Sequence, residues 1–280
     1  MSKEDNEGLD AVERARAYYN SEDADTFYYT VWGGEDIHVG IYESDDDSIF
    51  DASRRTVERI AAKIRNPGKE MHVIDLGAGY GGVARYLAKH YGCRVVALNL
   101  SEVENERDRQ MNREQGLDEL IEVVDGSFEK LDYKDNAFNV VWSQDSFLHS
   151  ADRDQVIAEA ARVLKPGGDL LFTDPMMTDE CPKDVLRPIL DRIHLETLGS
   201  PGFYREAAKQ HGLRELEFEE MADQLPRHYG RVLAELESRE DRLKDMVSMD
   251  YLERMKTGLR HWVDGGRNGH LTWGIFHFSK

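Results

Sequence analysis

The sequence predicts an α/β fold, in which a doubly wound, mostly parallel sheet of seven strands follows a helical segment and carries a helical cap before its last strand. Three observations support this prediction. Apolar runs of strand length alternate with stretches of helical periodicity from about residue 71 onward, as in parallel sheets. A glycine-rich turn joins the first strand to a helix. Residues 225–262 have helical spacing and are too long for a simple connection.

The helical segment occupies residues 1–68 and is predicted to form a lid. Helical patterns cover 9–20, 24–32 and 52–65, and the last ends at Asn66-Pro67-Gly68, because proline and glycine stop a helix. The core of the fold follows at 69–224, the cap at 225–262 and the last strand within 263–280. The predicted strands begin at about Met71 and continue over 94–98, 121–124, 138–142, 169–173, 213–218 and 271–278.

Composition excludes several classes of function. The 55 acidic and 36 basic residues give a formal charge of -19, which argues against binding to nucleic acid. The only cysteines, Cys93 and Cys181, lack metal-ligand spacing, so neither a disulfide framework nor a metal site is expected. The first residues lack the features of a signal peptide, and no apolar run reaches membrane-spanning length. We therefore expect a cytoplasmic monomer without membrane contact.

The turn after the first strand indicates the cofactor. Gly77, Gly79 and Gly82 match the G-x-G-x-x-G spacing that brings a nucleotide-type ligand close to the backbone. Asp75 ends the strand just before them. A carboxylate there would repel a diphosphate but suits the ammonium and sulfonium of S-adenosylmethionine. A turn that merely links strand and helix is the plainer alternative.

The ends of the other strands supply further candidates, because ligands bind beyond the carboxyl ends of parallel strands. Asn99 stands where an acidic residue usually holds a ribose, although it or Ser101 could instead cap the next helix. His149 is as easily a structural histidine as a functional one. Met176 and Met177 could line a small apolar pocket or could equally fill the core. These further candidates are Asp125, Gly126, Ser127, Gln144, His149, Met176 and Met177.

Five segments, in order, resemble class I S-adenosylmethionine-dependent methyltransferases: VIDLGAGYGG, ALNLS, VDGSFEKL, WSQDSFLHS and VLKPGG. The segments YYNSEDADTFYYTVWGGEDIHVGIY and LPRHYGRVL resemble, more narrowly, the sarcosine/dimethylglycine N-methyltransferases that make glycine betaine. The resemblance implies a Rossmann-like core. It also implies that Gly77 and Gly79 lie along the methionyl part of the cofactor and that Asn99 and Leu100 contact the ribose. The adenine would contact Asp125, Gly126 and Ser127, and Gln144 would lie near the sulfonium. By the same resemblance, Tyr19, Tyr28 and Trp32 close over the site.

Methyl transfer to an amine mainly requires alignment and exclusion of water. His149, or a water held by Gln144, could accept the proton of the acceptor nitrogen. We expect Arg227, beside Tyr229, to clamp the substrate carboxylate, and aromatic side chains to face the N-methyl groups. The substrate-binding candidates are Tyr28, His149, Met176, Met177, Arg227 and Tyr229.

Other acceptors and other classes stay open at this point. The alternative methyl acceptors are glycine and sarcosine, a phosphobase, and a lipid or quinone. The charged cap favours a small amino acid over a phosphobase or a lipid. A nicotinamide-dependent oxidoreductase is supported only by the literal glycine pattern. A non-catalytic scaffold would bind S-adenosylmethionine weakly or not at all.

The charge pattern generates a first prediction. The basic residues comprise 24 arginines and only 12 lysines, and an acidic, lysine-poor surface suits a salty cytoplasm because salt screens its self-repulsion. We expect thermal stability or methyl transfer to rise in molar KCl, measured by melting curves and initial rates. Inactivation by salt would contradict the hypothesis of a halophilic source.

Overall fold

The computed structural model describes residues 11–32, 34–193 and 195–280. Residues 9 and 10 of the first predicted helix lie outside the described residues. The described strands are β1 His72–Leu76, β2 Arg94–Asn99, β3 Ile121–Asp125, β4 Phe138–Gln144, β5 Leu164–Thr173, β6 Met176–Met177, β7 Arg214–Glu220, β8 Leu271–Thr272 and β9 Gly274–Ser279. The described helices are α1 Ala11–Tyr19, α2 Glu22–Phe27, α3 Ile49–Ala61, α4 Gly82–Tyr91, α5 Glu102–Glu114, α6 Arg153–Val163, α7 Arg187–Arg192, α8 Pro201–Gln210, α9 Gln224–Ser238, α10 Glu240–Leu243 and α11 Met249–Arg267.

Seven strands form the main sheet, in the order β3-β2-β1-β4-β5-β9-β7. The first five strands in this order are parallel, and β9 runs antiparallel to both β5 and β7. The prediction of a Rossmann-like, mostly parallel seven-stranded sheet is confirmed. Strand order reverses at β1 and β4, and that is where open parallel sheets bind ligands.

Local sequence explains where several helices begin. Ser48 accepts a hydrogen bond from the amide of Asp51, and for that reason α3 starts three residues before the predicted helix. Ser101 caps α5 in the same way. The helix α4 instead begins after Gly81, whose φ of 73° is left-handed, a conformation that glycine adopts without strain.

The structure differs from the sequence prediction around the last strand. The predicted strand 271–278 is two strands, because β8 pairs with β6 while β9 belongs to the main sheet. Trp273 lies between them, and its indole Nε1 donates to Asp145 at 2.8 Å. The helix α11 extends to Arg267, beyond the predicted end of the cap. The segment predicted as helical over 24–32 is α2 followed by a π-helical turn, Tyr28–Trp32.

Three hydrophobic cores organise the molecule. One lies on each face of the sheet, and the third joins the lid segment to the cap helices. Trp32, Val39, Leu148, Tyr229 and Trp262 belong to this third core. The proposed division at 68, 224 and 262 remains a prediction. Within the described residues, no helix is both long and apolar enough to cross a membrane.

A buried arginine ties the lid segment to the glycine turn. Arg85 on α4 is 1% exposed, and its guanidinium donates to Glu35 at 2.7 Å, to Asp108 at 2.6 Å and to Asn112 at 3.0 Å. It also donates to the carbonyl of Tyr80 in the turn. One side chain therefore fixes the lid segment, the turn and α5 relative to one another.

This network predicts a large loss of stability in Arg85→Met. The change leaves the Asp108 carboxylate buried without its cation, which costs about 3–5 kcal/mol when one partner of a buried ion pair is removed. Urea denaturation measures the loss. Arg113→Met is the matched control, because Arg113 forms an exposed pair with Glu106 on α5 and such pairs contribute about 1 kcal/mol or less. Equal losses in the two variants would contradict the assigned role of Arg85.

Candidate functional site

A cavity opens at the carboxyl ends of β1, β2 and β4, with about 730 Å³ of space that includes its opening to solvent. This is the position that the strand-end argument predicted. Strand ends, the turn after β3 and the lid segment all contribute to its walls. The residues that line it are Tyr19, Ile37, Gly77, Gly79, Asn99, Leu100, Ser101, Glu104, Gly126, Ser127, Phe128, Glu129, Gln144, Asp145, Ser146, His149 and Ser150.

The glycine turn forms a cradle that side chains would fill. Gly77 has a φ of 82°, and a Cβ added to it would lie 2.4 Å from the Cβ of Ser146. The amides of Gly77 and Ala78 both donate to the carbonyl of Leu98, at 2.8 and 3.1 Å. These two hydrogen bonds hold the turn against the end of β2. Because glycine has no side chain, a ligand in the cavity can approach the backbone of the turn closely.

Asn99 does not act alone at the end of β2. Its amide Nδ2 donates to Glu104 Oε2 at 2.8 Å, and both residues line the cavity. Burial raises the pKa of Glu104 to about 7. The acidic group usual at a ribose site is therefore present, but it comes from the first turn of α5. Sequence reasoning missed it, although Ser101 and Glu104 have the S-x-x-E spacing of a capping box.

The third strand contributes backbone and an apolar face. Gly126, Ser127 and Phe128 line the cavity. The side chain of Asp125 does not, because its carboxylate is exposed and accepts hydrogen bonds from Asn105 at 2.6 Å and from Arg109 at 3.1 Å. A purine placed here would meet a phenyl ring and amide groups instead of the predicted carboxylate.

The amide of Gln144 has a defined orientation. Indole nitrogens only donate, so the 3.1 Å bond from Trp142 Nε1 identifies the accepting atom as Gln144 Oε1. The Nε2 amide is buried and has no hydrogen-bond partner among the described residues. Gln144 lines both cavities. An N–H donor suits a carboxylate better than the sulfonium that the sequence predicted as its neighbour.

Tyr19 and His149 meet at the mouth of the cavity. The Tyr19 hydroxyl lies 2.9 Å from His149 Nε2, and burial holds the pKa of Tyr19 well above its usual range, so the phenol stays protonated. The turn that carries His149 is fixed through Leu148, whose amide donates to Asp174 at 2.9 Å and whose carbonyl accepts from Arg153 at 2.7 Å. The lid segment therefore closes directly onto a predicted catalytic side chain.

A smaller cavity of about 300 Å³ lies beside the first, behind the glycine turn. Asp75 lines it and is 2% exposed, with Oδ2 unpartnered among the described residues. Burial raises the pKa of Asp75 well above its usual value and that of Asp36, also in this wall, to about 6. A cationic ligand group would stabilise both carboxylates, so the donor set fits an ammonium or a sulfonium.

Of the predicted lid aromatics, Tyr19 lines the larger cavity, whereas Tyr28 and Trp32 line neither cavity. Tyr229 and the two methionines also line neither cavity. Tyr28 packs against Tyr19, with ring centroids 5.7 Å apart, and against Trp32 at 5.1 Å. Tyr229 stacks on Trp262 at 5.1 Å in the core between lid and cap. Met176 is fully buried in a core on one face of the sheet, and Met177 packs against the core between lid and cap, which matches the core-filling alternative.

The predicted carboxylate clamp lies elsewhere. Arg227 donates to the carbonyl of Tyr42 at 2.8 Å and to Asp45 at 2.7 Å, on the surface of the loop before α3. It lines neither cavity. Successive residues of a helix point about 100° apart, so His228 takes the inward direction that the prediction gave to Arg227. Among the described residues, no three or more histidine, cysteine, aspartate or glutamate side chains are grouped so that they could hold a metal ion.

The comparisons with known proteins agree with this geometry. Residues 74–172 match a methyltransferase domain family. The chain is 62% identical to a sarcosine/dimethylglycine N-methyltransferase of Halorhodospira halochloris, over 96% of this chain and 97% of that protein. It is 60% identical to a glycine/sarcosine/dimethylglycine N-methyltransferase of Actinopolyspora halophila, over 95% of this chain but only 47% of that longer protein. A crystal structure of a suggested sarcosine dimethylglycine methyltransferase from Galdieria sulphuraria, 44% identical, superposes with a TM-score of 0.89 over 94% of this chain and 98% of that one.

The pKa of Glu104 predicts how cofactor affinity depends on pH. We expect ribose hydroxyls to donate to the ionised carboxylate of Glu104, which forms as the pH rises through about 7. We expect the dissociation constant of S-adenosylmethionine to fall between about pH 6 and pH 8, because binding favours the deprotonated form. Calorimetric titration at each pH measures it.

In Glu104→Gln the affinity should be about tenfold or more weaker at the upper pH and nearly flat across this range, since an amide does not titrate. Glu106→Gln is the control, because Glu106 is exposed on the same helix. A variant that retains the wild-type pH profile would show that Glu104 does not contact the ribose.

Proposed function

Because the chain belongs to the sarcosine/dimethylglycine N-methyltransferase family and is an enzyme with S-adenosylmethionine as methyl donor, we propose that it methylates sarcosine and dimethylglycine to glycine betaine. The observation that carries the proposal is the cavity itself, in which the glycine cradle, the Asn99–Glu104 pair and the Tyr19–His149 contact meet. The first two supply a nucleoside site and the third a closure over the acceptor.

The cofactor contacts follow from the lining residues. Gly77 and Gly79 pass the methionyl part, while Asp75 in the smaller cavity balances its positive charge. Asn99, Leu100 and Glu104 hold the ribose, and Gly126, Ser127 and Phe128 the adenine. Gln144 Nε2 donates to the carboxylate of the methionyl part. Each assignment is a proposal that matches the chemistry of the atom facing the cavity.

Bound S-adenosylmethionine supplies an electrophilic methyl group on a positively charged sulfur. The nitrogen lone pair of the acceptor forms the new N–C bond while the C–S bond breaks and its electrons stay on sulfur. The protein aligns these atoms and excludes water. Tyr19 and His149 perform the exclusion at the mouth of the cavity.

The acceptor nitrogen must be unprotonated before it attacks. His149 is the proton acceptor that we propose, because its imidazole lines the larger cavity beside the Tyr19 hydroxyl. Sarcosine loses a further proton after its methylation, and dimethylglycine becomes a quaternary ammonium that carries none. The same residues therefore serve both steps.

The lining argues against a phosphobase as acceptor. Of the described residues, no lysine or arginine lines either cavity, whereas a phosphate would need several cations. Family membership also removes the nicotinamide-dependent oxidoreductase as an alternative. The monomeric state and the cytoplasmic location remain proposals, and light scattering on a sizing column tests the former.

Separate incubations test the choice of acceptor. We expect transfer of labelled methyl groups to sarcosine and dimethylglycine, with betaine identified by mass, because the cavity offers room for a small amine and no phosphate site. Glycine and phosphoethanolamine are the comparison acceptors. Transfer only to phosphoethanolamine would refute the proposed function, and no binding of S-adenosylmethionine would indicate a non-catalytic scaffold.

A conservative variant tests Asp75. Asp75→Asn keeps the shape but removes the charge, so we expect about tenfold or greater loss of cofactor affinity or turnover. The melting temperature should hold, because the carboxylate is buried with an unpartnered oxygen. The exposed Asp118→Asn serves as control. Unchanged affinity and turnover would show that Asp75 is purely structural.

A further inference from the structure

Two buried hydrogen-bond donors lie unused between the lid segment and the cap. Trp32 is 5% exposed and His228 is fully buried. Neither Trp32 Nε1 nor His228 Nε2 has a hydrogen-bond partner among the residues that the structure describes. Buried polar groups in folded proteins are almost always paired. An acceptor that does not belong to this chain would complete both.

The ring nitrogens of His228 have different roles. Nδ1 accepts a hydrogen bond from the amide of Gly40 at 3.1 Å and lies 3.0 Å from the Tyr42 hydroxyl. Burial lowers the pKa of His228 to about 3, so the ring is neutral. A neutral imidazole that accepts at Nδ1 carries its proton at Nε2. The unpartnered nitrogen is therefore a donor.

The two donors belong to neighbouring rings. The rings of Trp32 and His228 lie 5.4 Å apart with an interplanar angle of 59°. Trp32 ends the π-helical turn of the lid segment, and His228 comes from α9 of the cap. An indole nitrogen can only donate. The pair thus offers two N–H groups and no acceptor, as a carboxylate requires.

The pair lines neither cavity but is connected to both through neighbouring rings. From Trp32 the ring of Tyr28 leads to Tyr19, which contacts His149 at the mouth of the larger cavity. On the other side His38, which lines the smaller cavity, is close enough to lower the pKa of His228. Both routes lead to walls that include Gln144.

We propose that Trp32 Nε1 and His228 Nε2 donate hydrogen bonds to the carboxylate of the methyl-accepting amino acid. This inference rests on the proposed function and specifies how that function selects its substrate. The two side chains take the role that the sequence prediction gave to Arg227. Neutral donors also hold the carboxylate without placing another fixed positive charge beside the sulfonium.

The first test removes one donor and keeps the ring. In Trp32→Phe the KM for dimethylglycine should rise about tenfold or more, since a hydrogen bond to a charged group is lost. The KM for S-adenosylmethionine should stay unchanged. Trp262→Phe is the matched control, because Trp262 is a buried indole of the same core whose nitrogen is not among the unpartnered atoms.

The second test separates the ring nitrogens of His228. An asparagine oxygen can take the place of Nδ1 and accept from Gly40, whereas a glutamine amide reaches the place of Nε2 and can donate. We expect His228→Asn to raise the KM for dimethylglycine about tenfold or more and His228→Gln to recover part of that loss. Melting curves of both variants identify any change that arises from misfolding.

A substrate without the carboxylate completes the design. N,N-Dimethylethanolamine has the same tertiary amine and a hydroxyl in place of the carboxylate. Wild type should strongly prefer dimethylglycine over N,N-dimethylethanolamine. In Trp32→Phe and His228→Asn, kcat/KM should fall for dimethylglycine only, so the ratio of kcat/KM for dimethylglycine to that for N,N-dimethylethanolamine should decrease by the same factor. If kcat/KM falls by the same factor for both acceptors, so that their ratio is unchanged, the proposed carboxylate site is overturned.

Failure of the proposed function gives a different result. If wild type binds S-adenosylmethionine but neither methylates nor binds dimethylglycine, both the proposed function and the carboxylate site are refuted. If wild type methylates dimethylglycine and the variants do so with unchanged KM, only the carboxylate site falls.

Discussion

The buried guanidinium of Arg85 is the interaction on which the rest of the structure depends. It joins Glu35 of the lid segment, Asp108 and Asn112 of α5 and the carbonyl of Tyr80 in the glycine turn. These are the elements that surround the cofactor side of the cavity. A buried charge requires all its partners in place, so the lid segment cannot leave the core without exposing or isolating that charge. The contacts of Arg85 therefore fix the position of the lid segment within the fold.

Asp145 performs the corresponding task on the acceptor side. Its φ of 51° is left-handed, and its carboxylate accepts from the amide of Val39 at 2.6 Å and from Trp273 Nε1 at 2.8 Å. The end of β4, the lid segment and the junction of β8 and β9 therefore meet at one side chain. Strain of this kind persists where surrounding contacts determine it, and it concentrates at functional sites. Arg85 and Asp145 together hold the lid segment on both sides of the glycine turn.

The acidic composition of the chain is reflected inside the site. The carboxyl groups of Asp36, Asp75 and Glu104, which line the two cavities, all have pKa values raised by burial. Each is poised to respond to a cation or to a hydroxyl donor placed nearby. Cofactor and substrate bring a sulfonium and two amines to this region, and the protein supplies oxygen atoms and neutral N–H groups around them. The fold carries this chemistry without a lysine or arginine in the described walls of either cavity.

By itself the sequence determined the sheet, the glycine turn and the class of cofactor, because a strand, a turn and a helix that follow one another in the chain make that site locally. It also placed Asn99, Gly126, Gln144 and His149 at strand ends that line the cavity. Only the tertiary structure decided the rest. Glu104 reaches the cavity beside Asn99 from the first turn of a helix, and Arg227 turns to the surface while its neighbour His228 turns inward. Such choices depend on how a helix is rotated when it packs, and one residue changes that direction by about 100°.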